Sequence, residues 1–98
     1  MNEMIGKYVI VRASDAGVFA GTLANKEGGE VTLTNARKLY EWDGACAVEQ
    51  IAVDGTVNPD SCKFTVTVSE IIIIGVCQIL PATEKAEAAI KDVKEWKR

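Results

Sequence analysis

The chain has 98 residues and a mass of 10.6 kDa, which is enough for one domain with one modest core. Its formal net charge of −3 argues against a non-specific nucleic-acid coat, because such proteins neutralise phosphates with Lys and Arg. The sequence has no histidine, which is the commonest general base and metal ligand. These totals still permit a pocket for one small phosphorylated ligand.

The first half of the chain reads as an antiparallel meander. β-Branched and aromatic residues predict a strand from Lys7 and another from Val18, separated by turn-forming Ser, Asp and Gly. Gly21 predicts a bulge or bend within the second strand. After a Gly-rich hairpin loop, alternating side chains predict a third strand from Val31, and residues 37–42 ("RKLYEW") extend the meander as a fourth.

The second half is less regular. The apolar spacing in 46–52 predicts a short helix or an irregular turn, and the proline in 56–62 predicts a loop. Residues 63–80 predict two strands or one long bent strand, with a turn at 69–70 and a bend at Gly75. The apolar run that ends this segment is about half the length of a membrane-spanning helix, so we expect a buried strand there.

The last predicted element is an amphipathic helix at about 83–97. Thr83 is expected to cap it, and Glu84 to lie at the positive end of its dipole. With a barrel at about 4–80, the helix completes a single domain over 1–98 that is mainly β (α+β). The predicted fold is a small, strongly bent antiparallel β-barrel or roll. One apolar stripe along the helix is formed by Ala82, Ala86, Ala89, Ile90, Val93 and Trp96.

Three cysteines are present, without CxxC spacing, so neither a zinc site nor a complete disulfide framework is predicted. We expect Cys46, Cys62 and Cys77 to be small buried residues in a reducing cytoplasm. The N-terminus lacks a basic region followed by a small-residue cleavage site, so no signal peptide is predicted.

The segment "GVFAGTLANKEGGEVTLTNARK" resembles the first half of an Sm-like barrel. That family has a Gly-x-Leu strand, a short loop and a strand ending in an Asn-Ala or similar pair, which Gly21, Leu23 and residues 35–36 match. The resemblance implies a small curved barrel and RNA binding. The family's second motif is an Ile-Arg-Gly-like turn with a second RNA contact, and it is missing at the turn expected at 69–70. An Sm-like RNA binder is therefore the third function considered.

The layout of nearly the whole chain is similar to a family of small phage and prophage proteins of uncharacterised function. The similarity implies a virus-encoded accessory protein in the bacterial host cytoplasm. Several small phage proteins of this kind bind nucleotide signals of host immunity, which implies a nucleotide-type small molecule as the ligand. The segments concerned are "YVIVRASDAGVFAGTL", "NARKLYEWDGA", "CKFTVTVSEIIII" and "ILPATEKAEAAI".

A candidate ligand site follows the third strand, where bases, aromatic rings and acids are crowded together. Tyr40 and Trp42 could stack on a nucleobase, and Arg37 could hold a phosphate or a guanine edge. The alternation of the two rings with Glu41 equally fits a half-buried strand whose rings lie in the core, with Arg37 in a surface ion pair. Supporting candidates, which equally fit ordinary strand positions, are Asn35, Asp43, Arg12 and Phe19.

The pattern of chemistry-bearing residues indicates binding without catalysis. No paired acids, activated serine or phosphate loop is present, so we expect no enzyme activity, no metal and no cofactor. The run 71–74 is apolar on both faces, which favours a homo-oligomer because the helix covers only one face.

We therefore expect a phage-encoded protein that sequesters a nucleotide-type immune signal, either a cyclic oligonucleotide or an ADP-ribose derivative. The alternative is a protein-interaction or structural phage module without a small-molecule ligand. Neither membrane association nor general nucleic-acid binding is expected.

Overall fold

The computed structural model describes residues 4–97, which form a bent six-stranded antiparallel sheet and two helices. The strand order is β4-β3-β2-β1-β6, and β5 pairs with β3. No ladder within the described residues joins β5 to β6, so the sheet is strongly bent rather than a closed barrel. The predicted fold class is confirmed. The strands are β1 (Tyr8–Ala13), β2 (Gly17–Glu27), β3 (Glu30–Glu41), β4 (Lys63–Phe64), β5 (Val68–Ile74) and β6 (Val76–Pro81), and the helices are α1 (Val48–Asp54) and α2 (Glu84–Asp92).

A bulge in β3 bends the sheet opposite Gly21. The register between β2 and β3 shifts around this glycine, and Asn35 adopts a left-handed φ of 49°. A Cβ on Gly21 would lie 2.8 Å from the Cβ of Ala36, so the two strands can approach this closely only at a glycine. The predicted bend at Gly21 is confirmed, but the extra residue of the bulge lies in β3 and not in the second strand. The third and fourth predicted strands are one continuous β3.

Alternating side chains of β1 divide the apolar core into two clusters. Tyr8 and Ile10 pack with Ile51 of α1 and Ile90 of α2, so both helices cover the same side of the sheet. The second cluster consists of Val9, Val11, Ala13, Phe19, Leu23, Val31, Leu33, Ala36 and Ile73.

Helix α2 begins as predicted but is shorter. The Thr83 hydroxyl accepts a hydrogen bond from the backbone N–H of Ala86 at 3.1 Å, which confirms the N-cap. The helix ends at Asp92, and Val93 has extended backbone angles (φ −65°, ψ 129°). None of the helices in 4–97 has the length and apolar character needed to cross a bilayer.

The chain after α2, residues 93–97, returns to the sheet as a C-terminal tail. The backbone N–H of Trp96 donates to the carbonyl oxygen of Phe64 at 2.8 Å, and Glu95 forms a parallel β-bridge with Phe64. Trp96 therefore lies beside β4 and not in the apolar stripe of a helix. The sequence-based prediction failed here because the tail is stabilised by tertiary contacts, which helical periodicity does not report.

Two predictions for β5 and β6 are corrected. Residues 69–70 lie inside β5, and the turn to β6 is at Gly75, whose φ of 80° favours glycine. The apolar run is divided between the two strands, and in β5 Ile72 and Ile74 are exposed whereas Ile73 is buried. The expectation of one buried strand is therefore wrong.

The three cysteines are free thiols in different surroundings. Cys62 is buried as predicted, whereas Cys46 and Cys77 are exposed. The prediction is wrong for these two because Cys46 precedes α1 in an irregular segment and Cys77 lies on the outermost strand, β6.

Candidate functional site

Arg37 is buried beneath the C-terminal end of α2, with 4% of its surface exposed. Its Nη1 donates to the carbonyl oxygens of Ile90 at 2.9 Å and Val93 at 2.8 Å. Its Nε donates to the carbonyl oxygen of Thr65 at 2.9 Å, and Nη2 to that of Phe64 at 3.2 Å. Burial lowers the pKa of the guanidinium. This position corrects the expected surface ion pair, and the groups expected to contact a ligand donate to carbonyl oxygens of the protein itself.

Phe19 and Trp42 pack against the core. Phe19 is buried in the second cluster, with Lys38 Nζ 5.8 Å from the centroid of its ring. Trp42 is half-buried against the cluster that includes Ile51. For both residues the structure agrees with the alternative interpretation of the strand pattern. Asn35 is exposed, and its backbone is left-handed at the β3 bulge. Asparagine tolerates this conformation better than most residues, which explains its presence at this position without a ligand.

Asp43 belongs to a hydrogen-bonded loop between β3 and α1. Its Oδ1 accepts from the backbone N–H of Gly44 at 2.8 Å, and its carbonyl oxygen accepts from the Thr56 hydroxyl. Within 4–97, no group of three or more Cys, Asp or Glu side chains is placed to hold a metal ion. Arg12 is exposed on β1, in register with Gln78 of β6. The predicted site residues are thus not brought together in one pocket.

Tyr40 instead forms an exposed aromatic surface with two residues that sequence reasoning did not assign to a site. Its ring stacks on Trp96, with centroids 5.0 Å apart and planes 13° apart, and the two residues are 55% and 41% exposed. Lys63 Nζ lies 5.6 Å from the centroid of the Trp96 ring and 3.6 Å from Glu41 Oε2. We call Tyr40, Trp96 and Lys63 the aromatic surface. The contact between Trp96 and Tyr40 could not be predicted from a local sequence pattern, because the C-terminal tail brings together two residues that are far apart in the chain.

A groove of about 420 Å³ runs between the β2–β3 hairpin and β6. Gln78 Nε2 donates to Glu49 Oε2 at 3.2 Å, and Gln78 Oε1 is buried without a hydrogen-bond partner among the described residues. The backbone N–H of Glu49 and the Gln78 amide hold the pKa of Glu49 below its ordinary value. The volume is in the range of small-ligand pockets. The groove is lined by Met4, Lys26, Gly28, Val76, Cys77, Gln78 and Ile79.

Strand β5 is an exposed edge of the sheet. It pairs with β3 on one side, and no other strand of the described chain lies along its outer side. Ile72 is 56% and Ile74 is 71% exposed, so one face of this edge strand is apolar. Such an edge is a template for another strand. At β4, by contrast, the C-terminal tail covers the corresponding edge.

Comparison with known proteins gives a family and a fold. A family model described as "Domain of unknown function (DUF6948)" matches residues 6–90. No curated protein matches the chain. Among solved structures, the chain is similar to a heptameric archaeal Sm protein, with 19% identity and a TM-score of 0.52 over 83% of this chain and 93% of that chain. This likeness extends the Sm-like resemblance of residues 17–38 to most of the chain, as a statement about the fold.

The turn between β5 and β6 is the one to compare with the second Sm-like motif. β5 ends at Ile74 and Gly75 forms the turn, so the residue before this glycine is an isoleucine, whereas an Ile-Arg-Gly-like turn has an arginine there. The turn expected at residues 69–70 is wrong, since they lie within β5. The arginine of that motif is nevertheless missing at the corrected position.

Proposed function

Because the chain belongs to the DUF6948 family, whose description assigns no activity, we propose a function from the geometry of this chain. On this proposal, the chain is a small, non-catalytic binding protein that assembles with copies of itself and sequesters a nucleotide-type ligand. We further propose that the protein is phage-encoded and acts in the bacterial host cytoplasm. There it would hold a cyclic oligonucleotide or an ADP-ribose derivative that signals anti-phage defence.

The observation that carries the proposal is the apolar outer side of β5. Ile72 and Ile74 are more than half exposed on a strand whose outer edge has no partner in the described chain. A monomer that left this edge open would risk uncontrolled strand pairing. Assembly with further copies covers the edge and buries both side chains. The heptameric state of the archaeal Sm protein, which shares the fold, supports this reading.

The chemistry of the aromatic surface suits a nucleotide-type ligand. An exposed stacked pair of rings beside a lysine suits a planar base carrying a phosphate. A net charge of −3 and the isoleucine at position 74 make long RNA a poorer fit, because RNA binding depends on many basic contacts. A small phosphorylated ligand needs only a few such contacts.

Native mass spectrometry tests assembly and binding in one measurement. We expect wild-type protein to form a discrete oligomer, and Ile72→Lys and Ile74→Lys to give folded monomers, because a charge at the edge opposes strand pairing. Ala88→Lys adds the same charge at an exposed position of α2 and should leave the oligomer intact. The same spectra are recorded with cyclic oligonucleotides and ADP-ribose. A wild-type monomer that retains none of them would contradict the proposal.

A protein-interaction or structural module is the second candidate function. Val53 of α1 and Val57 in the following loop are 57% and 76% exposed, which suits a partner surface. An oligomer that retains no nucleotide at high concentration but binds a defined polypeptide would favour this function. An Sm-like RNA binder comes third, and it requires a steep salt dependence of binding to single-stranded RNA.

A further inference from the structure

We infer that the aromatic surface (Tyr40, Trp96 and Lys63) is a base-stacking site that the C-terminal tail completes. This inference rests on the proposed function, because it assigns a place and a chemistry to the nucleotide-type ligand. The site differs from the one predicted around Arg37 and Trp42, since these two residues pack into the protein. It depends on Trp96, which lies 56 residues beyond Tyr40 in the sequence (96 − 40).

The tail is held in place at two residues that precede Trp96 and at Trp96 itself. Arg37 Nη1 donates to the carbonyl oxygen of Val93 at 2.8 Å, where the tail leaves α2. Glu95 Oε2 accepts from the backbone N–H of Thr67 at 3.2 Å. The backbone N–H of Trp96 donates to the β4 carbonyl beside it at 2.8 Å. The indole is therefore positioned before any ligand arrives, which lowers the entropic cost of binding.

The two rings are arranged so that a third ring can extend the stack. They are nearly parallel, at 13°, and only one face of each is turned toward the other. Phe64, the neighbouring aromatic residue, is fully buried, whereas Tyr40 and Trp96 remain about half exposed. The stacked pair therefore presents aromatic surface to water. A nucleobase can cover it, because stacking on aromatic side chains needs a planar partner and no particular base edge.

Lys63 supplies the charge for a phosphate beside the stacked base. Its Nζ lies over the Trp96 ring at 5.6 Å and pairs with Glu41 Oε2 at 3.6 Å. Both side chains of this ion pair are about half exposed, at 45% and 58%, so the pair is weak and a phosphate can compete for the lysine. The other charged pair beside the surface is Lys97 with Glu95, at 3.7 Å.

Tryptophan fluorescence tests the site directly, because Trp42 and Trp96 are the only two tryptophans in the chain. Trp42→Phe leaves Trp96 as the sole tryptophan, which can be excited selectively. Titration of this variant with AMP should quench the emission with a saturable curve, whereas ribose 5-phosphate, which lacks the base, should not. Tyr40→Leu in the same background should weaken AMP binding by about tenfold, and Tyr40→Phe, which retains the ring, should preserve it.

The lysine is tested by comparing AMP with adenosine. Lys63→Met should reduce the affinity for AMP and leave that for adenosine unchanged, because only AMP carries the phosphate. Lys26→Met makes the same charge change in the groove and should affect neither ligand. Equal melting temperatures of the variants establish that they are folded.

The outcomes separate this inference from the proposed function. Saturable quenching that Tyr40→Leu weakens supports both. If native mass spectra show a retained nucleotide while Trp96 emission stays unchanged, the stacking site is wrong. Loss of that binding in Lys26→Met would then indicate that the ligand binds in the groove. If no nucleotide binds in either measurement, the stacking site and the nucleotide part of the proposed function both fail.

Discussion

Arg37 Nη1 donates a hydrogen bond of 2.8 Å to the carbonyl oxygen of Val93, the residue that follows the last turn of α2. The last carbonyl groups of a helix have no partner within the helix, and a cation at that end interacts favourably with its dipole. Arg37 also donates to the carbonyl oxygen of Ile90, so one buried guanidinium fixes both the end of α2 and the start of the C-terminal tail. A residue expected in a ligand site is therefore part of the framework that positions the aromatic surface.

Replacing Arg37 with methionine should destabilise the protein. The change removes four hydrogen bonds, and only the carbonyl oxygens of Phe64 and Ile90 keep a backbone N–H donor. We therefore expect a loss of about 3 kcal/mol in the free energy of unfolding. Urea denaturation followed by circular dichroism measures this loss. Lys38→Met, a change at the next residue, is the control and should cost much less, since Lys38 is half-buried. An unchanged urea midpoint for Arg37→Met would mean that Arg37 does not stabilise the fold, and a ligand contact would again be the better explanation for this residue.

The bend at Gly21 should not tolerate a side chain. In Gly21→Ala the new Cβ would lie 2.8 Å from the Cβ of Ala36 and 3.1 Å from the carbonyl oxygen of Thr34, so β2 and β3 must separate. We expect a loss of about 2 kcal/mol in the free energy of unfolding. Gly29→Ala is the matched control in the hairpin, because the nearest atom to its Cβ would be 3.9 Å away. Equal melting temperatures for the two variants would mean that the bend does not require glycine.

Local features of the sequence predicted local features of the fold. Gly21 signalled the bulge, Gly75 the bend between β5 and β6, and Thr83 the start of α2, because each acts on the backbone within a few residues. The alternation at the start of β3 also assigned its inward-facing positions correctly, since Val31 and Leu33 are buried and the threonines that follow each of them are only half-buried. These effects depend on conformational preference, and a single sequence carries that information.

The candidate site could not be predicted in the same way. The partners of Arg37 at Ile90 and Val93 lie 53 and 56 residues away, and no pattern near residue 37 indicates them. Trp96 followed the helical spacing of α2, yet tertiary contacts end the helix before it. Whether Tyr40 or Trp42 faces solvent depends on the bulge at Asn35 and on the tail, which are both properties of the assembled fold.

Tyr8 should make stability depend on pH in the alkaline range. Burial, with a smaller contribution from Glu87, raises the pKa of Tyr8 from 10.0 to about 12, although the charge of Arg37 acts in the opposite direction. The folded protein therefore holds the phenol proton more tightly than the unfolded chain does. The resulting stabilisation is complete below pH 10 and is lost as pH rises from 10 to about 12. Its full size is about 2.7 kcal/mol for a shift of two pKa units.

Chemical denaturation of wild type and Tyr8→Phe across this pH range isolates the effect. All other ionisable groups are common to the two proteins, and Lys91 Nζ, which lies 5.0 Å from the centroid of the Tyr8 ring, has the same ring to contact in Tyr8→Phe. The difference between the two curves therefore reports the phenol. We expect the difference to be constant below pH 10 and to move in favour of Tyr8→Phe above it, because phenylalanine has no proton to lose. Parallel curves up to pH 12 would show that the Tyr8 hydroxyl is hydrated in the folded state and titrates as it does in the unfolded chain.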